Sequence, residues 1–168
     1  METFHHNGQL KTTYNYKDGR LDGPLEVFYE TGQLESKRFY KNGELDGLLE
    51  TYYDNGQLKS KGNYKEGKKV GTSERYHANG QLKTRNNYKD GELDGKITHW
   101  HYSNGLLEKE VNYKDGTRHG KVTEWDKSGL KLWEGNFKDG VPDGKWTSWG
   151  TNALEETFKD GAGNFSLF

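Results

Sequence analysis

Apolar and polar residues alternate in short runs along this chain, and the runs recur at a fixed interval. The stretch 52–71, YYDNGQLKSKGNYKEGKKVG, shows the unit: an aromatic pair, an Asn-Gly turn, a strand from Leu58 to Tyr64, a second turn and a closing glycine. Leu58 and Tyr64 are six residues apart, and an even spacing places both on one face of a strand. Lysine and asparagine occupy the positions between them, at Lys59, Lys61 and Asn63, which predicts one apolar and one solvated face.

The glycines of the unit give its period. The first glycine recurs every 24 residues, with one step of 25 where Ser103 adds a residue, at Gly8, Gly32, Gly56, Gly80, Gly105 and Gly129. A fixed period of this size is typical of a repeat array, and no segment has an apolar period of 3.6 long enough for a helix. We therefore predict an all-β fold: an elongated antiparallel β-meander of stacked hairpin repeats that forms a single-layer twisted sheet. Residues 1–168 would form one array of about six full repeats, with an irregular C-terminal cap at 151–168.

Two kinds of turn separate the strands. The Asn-Gly turns, such as Asn55-Gly56, predict two-residue hairpin turns in which both residues have positive φ. The second turn is Lys-Asp-Gly or a close variant, and it leads through a Leu-Asp-Gly segment into the next strand. We expect the aspartates of that segment to be turn formers that bond their own backbone, at Asp22, Asp46, Asp94 and Asp143.

The composition indicates an ordered chain with a thin core. Apolar residues make up only 29%, charged residues 30%, and the mean hydropathy is −1.21. The charges nearly cancel, to −1, and the aromatic residues stand at fixed repeat positions, so a ladder of large side chains can hold the fold together. The near-zero charge argues against a nucleic-acid partner. The absence of cysteine fits a reducing compartment, so we expect a cytoplasmic protein.

Two rows of aromatic positions are the candidate binding residues. The first row stands five residues after each closing glycine, at Phe28, Tyr52, Tyr76, Trp100, Trp125 and Trp149. The second row follows it and points to the opposite face, at Tyr29, Tyr53, His77 and His101. Spine packing and partner recognition both explain such rows. Because a single-layer sheet has too few apolar residues to cover both faces, one row must be partly exposed, and exposed aromatics mark binding sites.

The histidines are the first candidates for chemistry. His99 and His101 lie on one strand face and would hold a metal if a third ligand joined them. A hydrolase that uses His99, His101 or His119 is a further, remote alternative. The alternative is that His77 and His101 replace tyrosines of the second row and that His119 replaces a turn aspartate. We expect His5 and His6 to be solvated. Most titratable residues occupy repeat positions and no catalytic pattern appears, so we expect no enzyme, no metal and no cofactor.

A row of lysines precedes the second turns, at Lys17, Lys41, Lys65, Lys89, Lys114, Lys138 and Lys159. Such a row would attract anionic lipid headgroups or single-stranded nucleic acid, or it is simply a set of solvated turn residues, which is the favoured interpretation. Every member except Lys41 is followed by Asp or Glu, which cancels most of the field. The N-terminal residues 1–10 contain no apolar run, so we expect neither a signal peptide nor a transmembrane helix.

The repeated segments resemble a known family. Tyr53-Asp54-Asn55-Gly56-Gln57-Leu58, Asn63-Tyr64-Lys65-Glu66-Gly67 and Asp143-Gly144-Lys145-Trp146 are similar to the MORN repeat in its bacterial variant of about 24 residues, whose arrays are labelled YwqK-like antitoxins. The resemblance covers 7–161. It implies a non-catalytic protein-binding module, most concretely an antitoxin or immunity protein that blocks a toxin, and in the alternative a membrane-associated scaffold. The tryptophan that the family places two residues after the closing glycine is present only as Trp146.

Overall fold

The computed structural model describes residues 1–149 and 154–167, and its contacts divide the chain into two units, Met1–Leu82 and Lys83–Phe168. Both units are built from antiparallel hairpins, and neither contains a helix in the described part. The all-β, hairpin-repeat fold predicted from the sequence is confirmed.

The first unit is a chain of neighbouring hairpins. The main strands pair antiparallel in the order β1, β2, β5, β6, β8, β9 and β10, and β3 with β4 and β6 with β7 form small additional ladders. Their bounds are β1 Glu2–Phe4, β2 Leu10–Thr13, β3 Tyr16–Lys17, β4 Arg20–Leu21, β5 Gly23–Phe28, β6 Leu34–Lys41, β7 Glu44–Leu45, β8 Gly47–Tyr52, β9 Leu58–Lys65 and β10 Lys68–Tyr76.

The second unit follows the same plan. Its main strands pair antiparallel in the order β11, β13, β14, β15, β16, β17, β18 and β19, with β12 on the end of β11. Their bounds are β11 Leu82–Lys89, β12 Glu92–Leu93, β13 Gly95–Trp100, β14 Leu107–Lys114, β15 Thr117–Trp125, β16 Lys131–Lys138, β17 Val141–Ser148, β18 Leu154–Lys159 and β19 Ala162–Leu167.

The turns differ from the sequence prediction. After β8 the amide of Tyr53 donates to the Gln57 carbonyl at 2.8 Å, and the amide of Gly56 donates to the Tyr53 carbonyl at 2.9 Å. Only the glycine of this loop has positive φ, 82°, so the loop is a three-residue type I turn closed by a left-handed glycine. The turn with two positive φ values is the second one, with 48° at Glu66 and 74° at Gly67. The assignment of both positive values to Asn-Gly was therefore wrong.

The asparagine side chain explains this difference. Asn55 Oδ1 accepts a hydrogen bond from the Gln57 amide at 3.0 Å, which stabilises the type I turn locally. Its Nδ2 donates to the Ala78 carbonyl in the following repeat, also at 3.0 Å. Asn7 makes the same pair of bonds with Gln9 and the Glu30 carbonyl. The asparagine thus links neighbouring repeats as well as shaping its own loop.

The aspartates of the Leu-Asp-Gly segments also link repeats. Asp46 Oδ2 accepts a hydrogen bond from the amide of Glu66 at 3.4 Å, beside the bond from the Gly67 amide to the Leu45 carbonyl at 2.8 Å. Asp22 and Asp94 accept from the corresponding turns, at 3.2 and 3.3 Å. The expectation that these carboxylates bond their own backbone was wrong, because the next turn lies within reach of them.

The apolar core is narrow. The buried apolar residues of the described part are Ile97, Val111 and Val122, all in the second unit, and Val122 is only 1% exposed. Val111 pairs with Ile97 on one side and with Val122 on the other, so the three form a line across β13, β14 and β15. The line ends at Gly135, which pairs with Val122 and lies under the ring of Trp146.

The C-terminal end is a hairpin. β18 pairs with β17 and with β19 in regular antiparallel register. An irregular cap is predicted at 151–168; residues 151–153 and 168 lie outside the described residues, and the strands within 154–167 pair like the rest. That this end caps the array remains a prediction.

Candidate functional site

The second aromatic row joins repeats through its ring tips. The hydroxyl of Tyr29 donates to the Tyr52 carbonyl at 2.7 Å, and that of Tyr53 donates to the Tyr76 carbonyl at 2.9 Å. In the second unit, His101 Nε2 lies 3.1 Å from the Trp125 carbonyl. Each of these acceptors belongs to a first-row residue of the next repeat. The second row therefore has a structural role, and its proposed contact with a partner remains a prediction.

His5 extends this pattern to the N-terminus. Its side chain is only 12% exposed, and Nε2 lies 2.8 Å from the Phe28 carbonyl. The expectation that His5 is solvated was wrong, because His5 occupies the second-row position of the first repeat. His6 is exposed, as expected, and His77 is half-buried at its own second-row position.

In each unit, the first row lies on a face where acidic and basic side chains are paired; we call it the paired-charge face of that unit. In the first unit the carboxylates stand three residues after the closing glycine. Glu74 Oε2 receives the Tyr76 hydroxyl at 2.6 Å and lies 3.0 Å from Lys61 Nζ. The hydroxyl of Tyr52 donates to Glu50 at 3.0 Å. The first-row rings therefore belong to the same polar network as the ion pairs.

In the second unit, the carboxylates of the paired-charge face lie on different strands from those of the first unit. The position three residues after the closing glycine is threonine, at Thr98, Thr123 and Thr147, and the carboxylates stand on the neighbouring strands. Lys96 pairs with Glu110 at 3.0 Å, Lys121 with Glu134 at 3.2 Å, and Lys145 with Glu155. The two units therefore present different charge patterns on corresponding positions.

The exposure of the first row increases at one end. Five of its six members are half-buried, and Trp149 is 42% exposed. Cations lie over several rings: Arg85 is 5.7 Å from the centre of Trp100, and Lys131 is 5.4 Å from that of Trp149. Such contacts combine apolar area with charge, which is a common composition of protein-binding surfaces.

The pKa shifts on this face reinforce ordinary charge states. The hydrogen bond from Lys131, with Lys121 nearby, holds the pKa of Glu134 below its usual value. Glu74 raises the pKa of Lys61 by hydrogen bonding to it. Burial, and then the bond to Glu74, raises the pKa of Tyr76. A lowered pKa keeps Glu134 ionised at pH 7, and a raised pKa keeps Lys61 protonated and Tyr76 neutral, so these shifts do not move any of the three toward proton transfer at pH 7.

The histidines do not converge. His101 bonds the Trp125 carbonyl, and His119 Nδ1 lies 3.4 Å from Asp139 in a turn. His99 is half-buried opposite Lys109. Among the residues that the structure describes, no group of three or more His, Asp or Glu side chains is placed to hold a metal ion.

We expect the burial of His99 to make the second unit sensitive to acid. Burial lowers the pKa of its imidazole below 6.5, so the folded state favours the neutral ring. This contribution to stability is complete above pH 6.5 and is lost as the pH falls through the lowered pKa. Thermal unfolding between pH 7.5 and 5 should show a smaller loss of stability in His99→Gln than in the wild type. Equal losses in the two proteins would contradict the assignment.

The lysine row is exposed along its whole length, and none of its seven members forms an ion pair in the described part of the chain. The residue that follows each lysine is exposed as well, and in six of the seven it is acidic. In each unit, these second turns therefore carry mixed charge. Within 1–149 and 154–167, no helix has the length and apolarity needed to cross a membrane.

An apolar cluster in the second unit was missed by the sequence analysis. We call it the apolar edge: Leu106, Leu130, Leu132 and Trp149, which are 44%, 68%, 38% and 42% exposed. The sequence pattern that could have revealed it appears when the repeats are aligned with one another. The residue after the first glycine is glutamine in four repeats and leucine at Leu106 and Leu130, which breaks the pattern on the solvent side.

Comparison with known proteins gives one family match. The family model described as "MORN repeat variant" matches residues 1–18, 21–42, 45–66 and 69–90, which together are half of the chain. A comparison with curated proteins finds no match.

Two solved structures of TarM were compared with the chain. One is the crystal structure of a TarM mutant from S. aureus in complex with fondaparinux, α-GlcNAc-glycerol and UDP, at 12% identity and a TM-score of 0.39; the match covers 65% of this chain and 21% of that one. The other is a crystal structure of TarM, at 12% identity and a TM-score of 0.37, covering 63% and 21%. The chain thus spans about a fifth of the length of these proteins, and a similarity at this level carries no argument about function.

The period of the glycines, the paired hairpins and the residues matched by the family model all indicate the same repeat. The MORN repeat variant is a non-catalytic repeat module that binds membranes or proteins, and this chain belongs to that family.

Proposed function

We propose that this protein is a protein-binding module, and specifically an antitoxin or immunity protein that binds a toxin and blocks it. The observation that supports protein binding is the composition of the paired-charge face. Lysines and carboxylates alternate there in fixed pairs, with first-row aromatic rings at the strand ends. A surface of this kind suits a protein partner with a complementary charge pattern, because such complementarity selects the partner and its orientation.

The antitoxin role rests on the resemblance to the YwqK-like antitoxins. A protein of this kind needs a broad, fixed surface and no chemistry of its own. The hydrogen bonds between repeats, from Tyr29, Tyr53 and Asn55, hold such a surface in place before a partner arrives. Preorganisation of this kind lowers the entropic cost of binding.

A swap of one ion pair tests the use of the paired-charge face. The double variant Lys96→Glu/Glu110→Lys keeps an ion pair between β13 and β14 but reverses its polarity toward a partner. We expect the variant to fold like the wild type and to bind a co-purified partner at least about tenfold more weakly, because like charges then face each other across the interface. The measurement is calorimetric titration of the partner recovered from the native cell, together with rescue of growth when that partner is expressed as a toxin.

A matched control is Lys41→Glu, which changes one charge in the exposed lysine row and leaves the paired-charge face intact. Equal partner affinity for the swap and the wild type would exclude this face, and recovery of no stable protein partner would count against the whole proposal.

The second candidate function is a membrane-associated scaffold, favoured by the full exposure of the lysine row. Sedimentation with vesicles that contain anionic lipid separates the two candidates. Binding that disappears at moderate salt is expected of the scaffold and not of the toxin-binding protein.

A further inference from the structure

The apolar edge is continuous across the loops of the second unit. Leu106 Cδ1 lies 3.6 Å from the Cβ position at Gly129, the residue that precedes Leu130. The amide of Trp149 donates to the Leu132 carbonyl at 2.9 Å. An open groove of about 430 Å³ lies between Leu130, Leu132 and Trp149, and Asp126 and Lys131 complete its wall.

The repeats of the same chain show that the fold does not need these leucines. The positions equivalent to Leu106 and Leu130 are glutamine in the first unit, at Gln9, Gln33, Gln57 and Gln81. Gln57 Oε1 lies 3.1 Å from the Cβ position at Gly80, so glutamine fills the same place against the next turn that Leu106 fills against Gly129. Apolar side chains here therefore add exposed apolar area without being required for packing, which indicates an interaction surface.

Leu132 shows the same departure from the repeat. Corresponding repeats have a leucine at the first position of the strand and a charged residue after it, as in Leu58 and Lys59. In β16 the order is reversed: Lys131 comes first and Leu132 follows, 38% exposed. The reversal moves an apolar side chain out to the edge and brings an ammonium group next to Trp149.

Two lysines stand beside the groove, and one aspartate, Asp126, lies in its wall. Lys127 is exposed on the turn that carries Leu130, and Lys131 remains 43% exposed. The carboxylate of Asp126 is turned toward its own loop: Oδ1 accepts from the amide and hydroxyl of Ser128 and from the Leu130 amide, at 2.8, 2.6 and 3.0 Å, and these bonds lower its pKa. A single glutamate, Glu134, pairs with both Lys121 and Lys131.

We propose that the apolar edge docks a protein segment in which an aromatic or long aliphatic side chain stands next to carboxylates. The apolar side chain enters the groove at Trp149, and the carboxylates meet Lys127 and Lys131. This inference rests on the proposed protein-binding function and names a second surface and its partner chemistry.

The test uses peptides in place of a natural partner. A phage-displayed library of random 12-residue peptides is selected on the wild-type protein and counter-selected on the variant Leu106→Gln/Leu130→Gln/Leu132→Lys. Each replacement is a residue that the chain already carries at equivalent positions, so the variant should unfold at the same temperature as the wild type. We expect the enriched peptides to combine Trp, Phe or Leu with Asp or Glu. As synthetic peptides, they should bind the variant at least tenfold more weakly.

A single variant tests the charge component separately. Lys127→Glu leaves the apolar residues in place and should weaken the same peptides severalfold, whereas Gln57→Ala in the first unit should leave their affinity unchanged. The proposal would be overturned if the enriched peptides lacked acidic residues, or if they bound the wild type and the triple variant with equal affinity. Concentration-dependent dimerisation that is lost in the triple variant would assign the edge to a second copy of the chain instead. Sedimentation with phosphatidylcholine–phosphatidylserine vesicles that is lost in the triple variant would assign it to lipid. A triple variant that still neutralises the partner of the paired-charge face would leave the proposed function intact.

Discussion

Replacing Gly135 by alanine is expected to destabilise the second unit by about 3 kcal/mol, at the upper end of the usual cost of overpacking. A Cβ on Gly135 would lie 2.2, 2.4 and 2.6 Å from Cδ2, Cε2 and Cε3 of Trp146. Real Cβ atoms do not approach other atoms so closely. Either the indole ring or the strand must move.

The neighbours of Trp146 oppose that movement. Trp133 stacks on the ring at 5.4 Å and 20°, and Phe137 and Phe158 contact it edge-on at 5.2 and 5.8 Å. The indole Nε1 also donates to the Asn136 carbonyl at 3.2 Å. Displacing the ring would disrupt the largest aromatic cluster of the described residues, which is why the small change has a large effect.

Urea unfolding followed by fluorescence measures this loss. The control is Gly62→Ala at the equivalent position of the first unit, where the nearest atoms are Oγ and Cβ of Ser73, at 3.0 and 3.3 Å. A serine hydroxyl can rotate away, so we expect a loss below about 1 kcal/mol there. In a Trp146→Leu background, Gly135→Ala should cost much less than in the wild type. Equal costs in both backgrounds would show that the indole is not the obstacle.

Much of this architecture could be predicted from the sequence because the same strand pattern recurs in every repeat. The leucines proposed as strand starts, at Leu34, Leu58, Leu82 and Leu107, are the first residues of β6, β9, β11 and β14. An alternating pattern that recurs with the same period determines both where a strand lies and which of its faces is apolar.

The turns could not be predicted by the same reasoning. The Asn-Gly pair is a strong hairpin signal, but the turn type depends on the number of residues in the loop and on the asparagine side chain. Asn55 reaches a carbonyl in the next repeat, and this contact exists only once the hairpins are stacked. The bonds from Asp46 and His5 to neighbouring repeats were missed for the same reason.

The positions of the two aromatic rows are given by the sequence, and their contact with a partner remains a prediction. The first-row residues were found from their spacing, but the spacing does not reveal that the second row is bonded to the backbone of the next repeat. The apolar edge was visible as a replacement of glutamine by leucine at Leu106 and Leu130. The replacement alone does not show whether a leucine is packed or exposed, and the exposure of these two follows only from the folded loops. In a repeat protein, positions that depart from the pattern on the solvent side are where a specific partner can be recognised.

The two turns of one repeat should respond in opposite ways to proline. Glu66→Pro is expected to destabilise the protein by about 3 kcal/mol, because proline requires φ near −65° and Glu66 has φ 48°. The substitution also removes the amide that donates to Asp46 Oδ2. The turn and one link between neighbouring repeats are lost together.

Asp54→Pro provides the matched comparison in the other loop of the same repeat. Asp54 is the second residue of the type I turn that is closed by the bond from the Gly56 amide to the Tyr53 carbonyl, a position where proline is favoured. Here proline restricts the unfolded chain without straining the fold, so we expect stability to be unchanged or higher by about 0.5 kcal/mol. Thermal and urea unfolding of the two variants decide between the turn assignments. If the Asn-Gly loop contained the two positive φ values, Asp54 would be the last paired strand residue, and Asp54→Pro would destabilise the protein by removing its amide. The opposite effects expected here follow from the φ value of Glu66 and from the type I turn at Asp54.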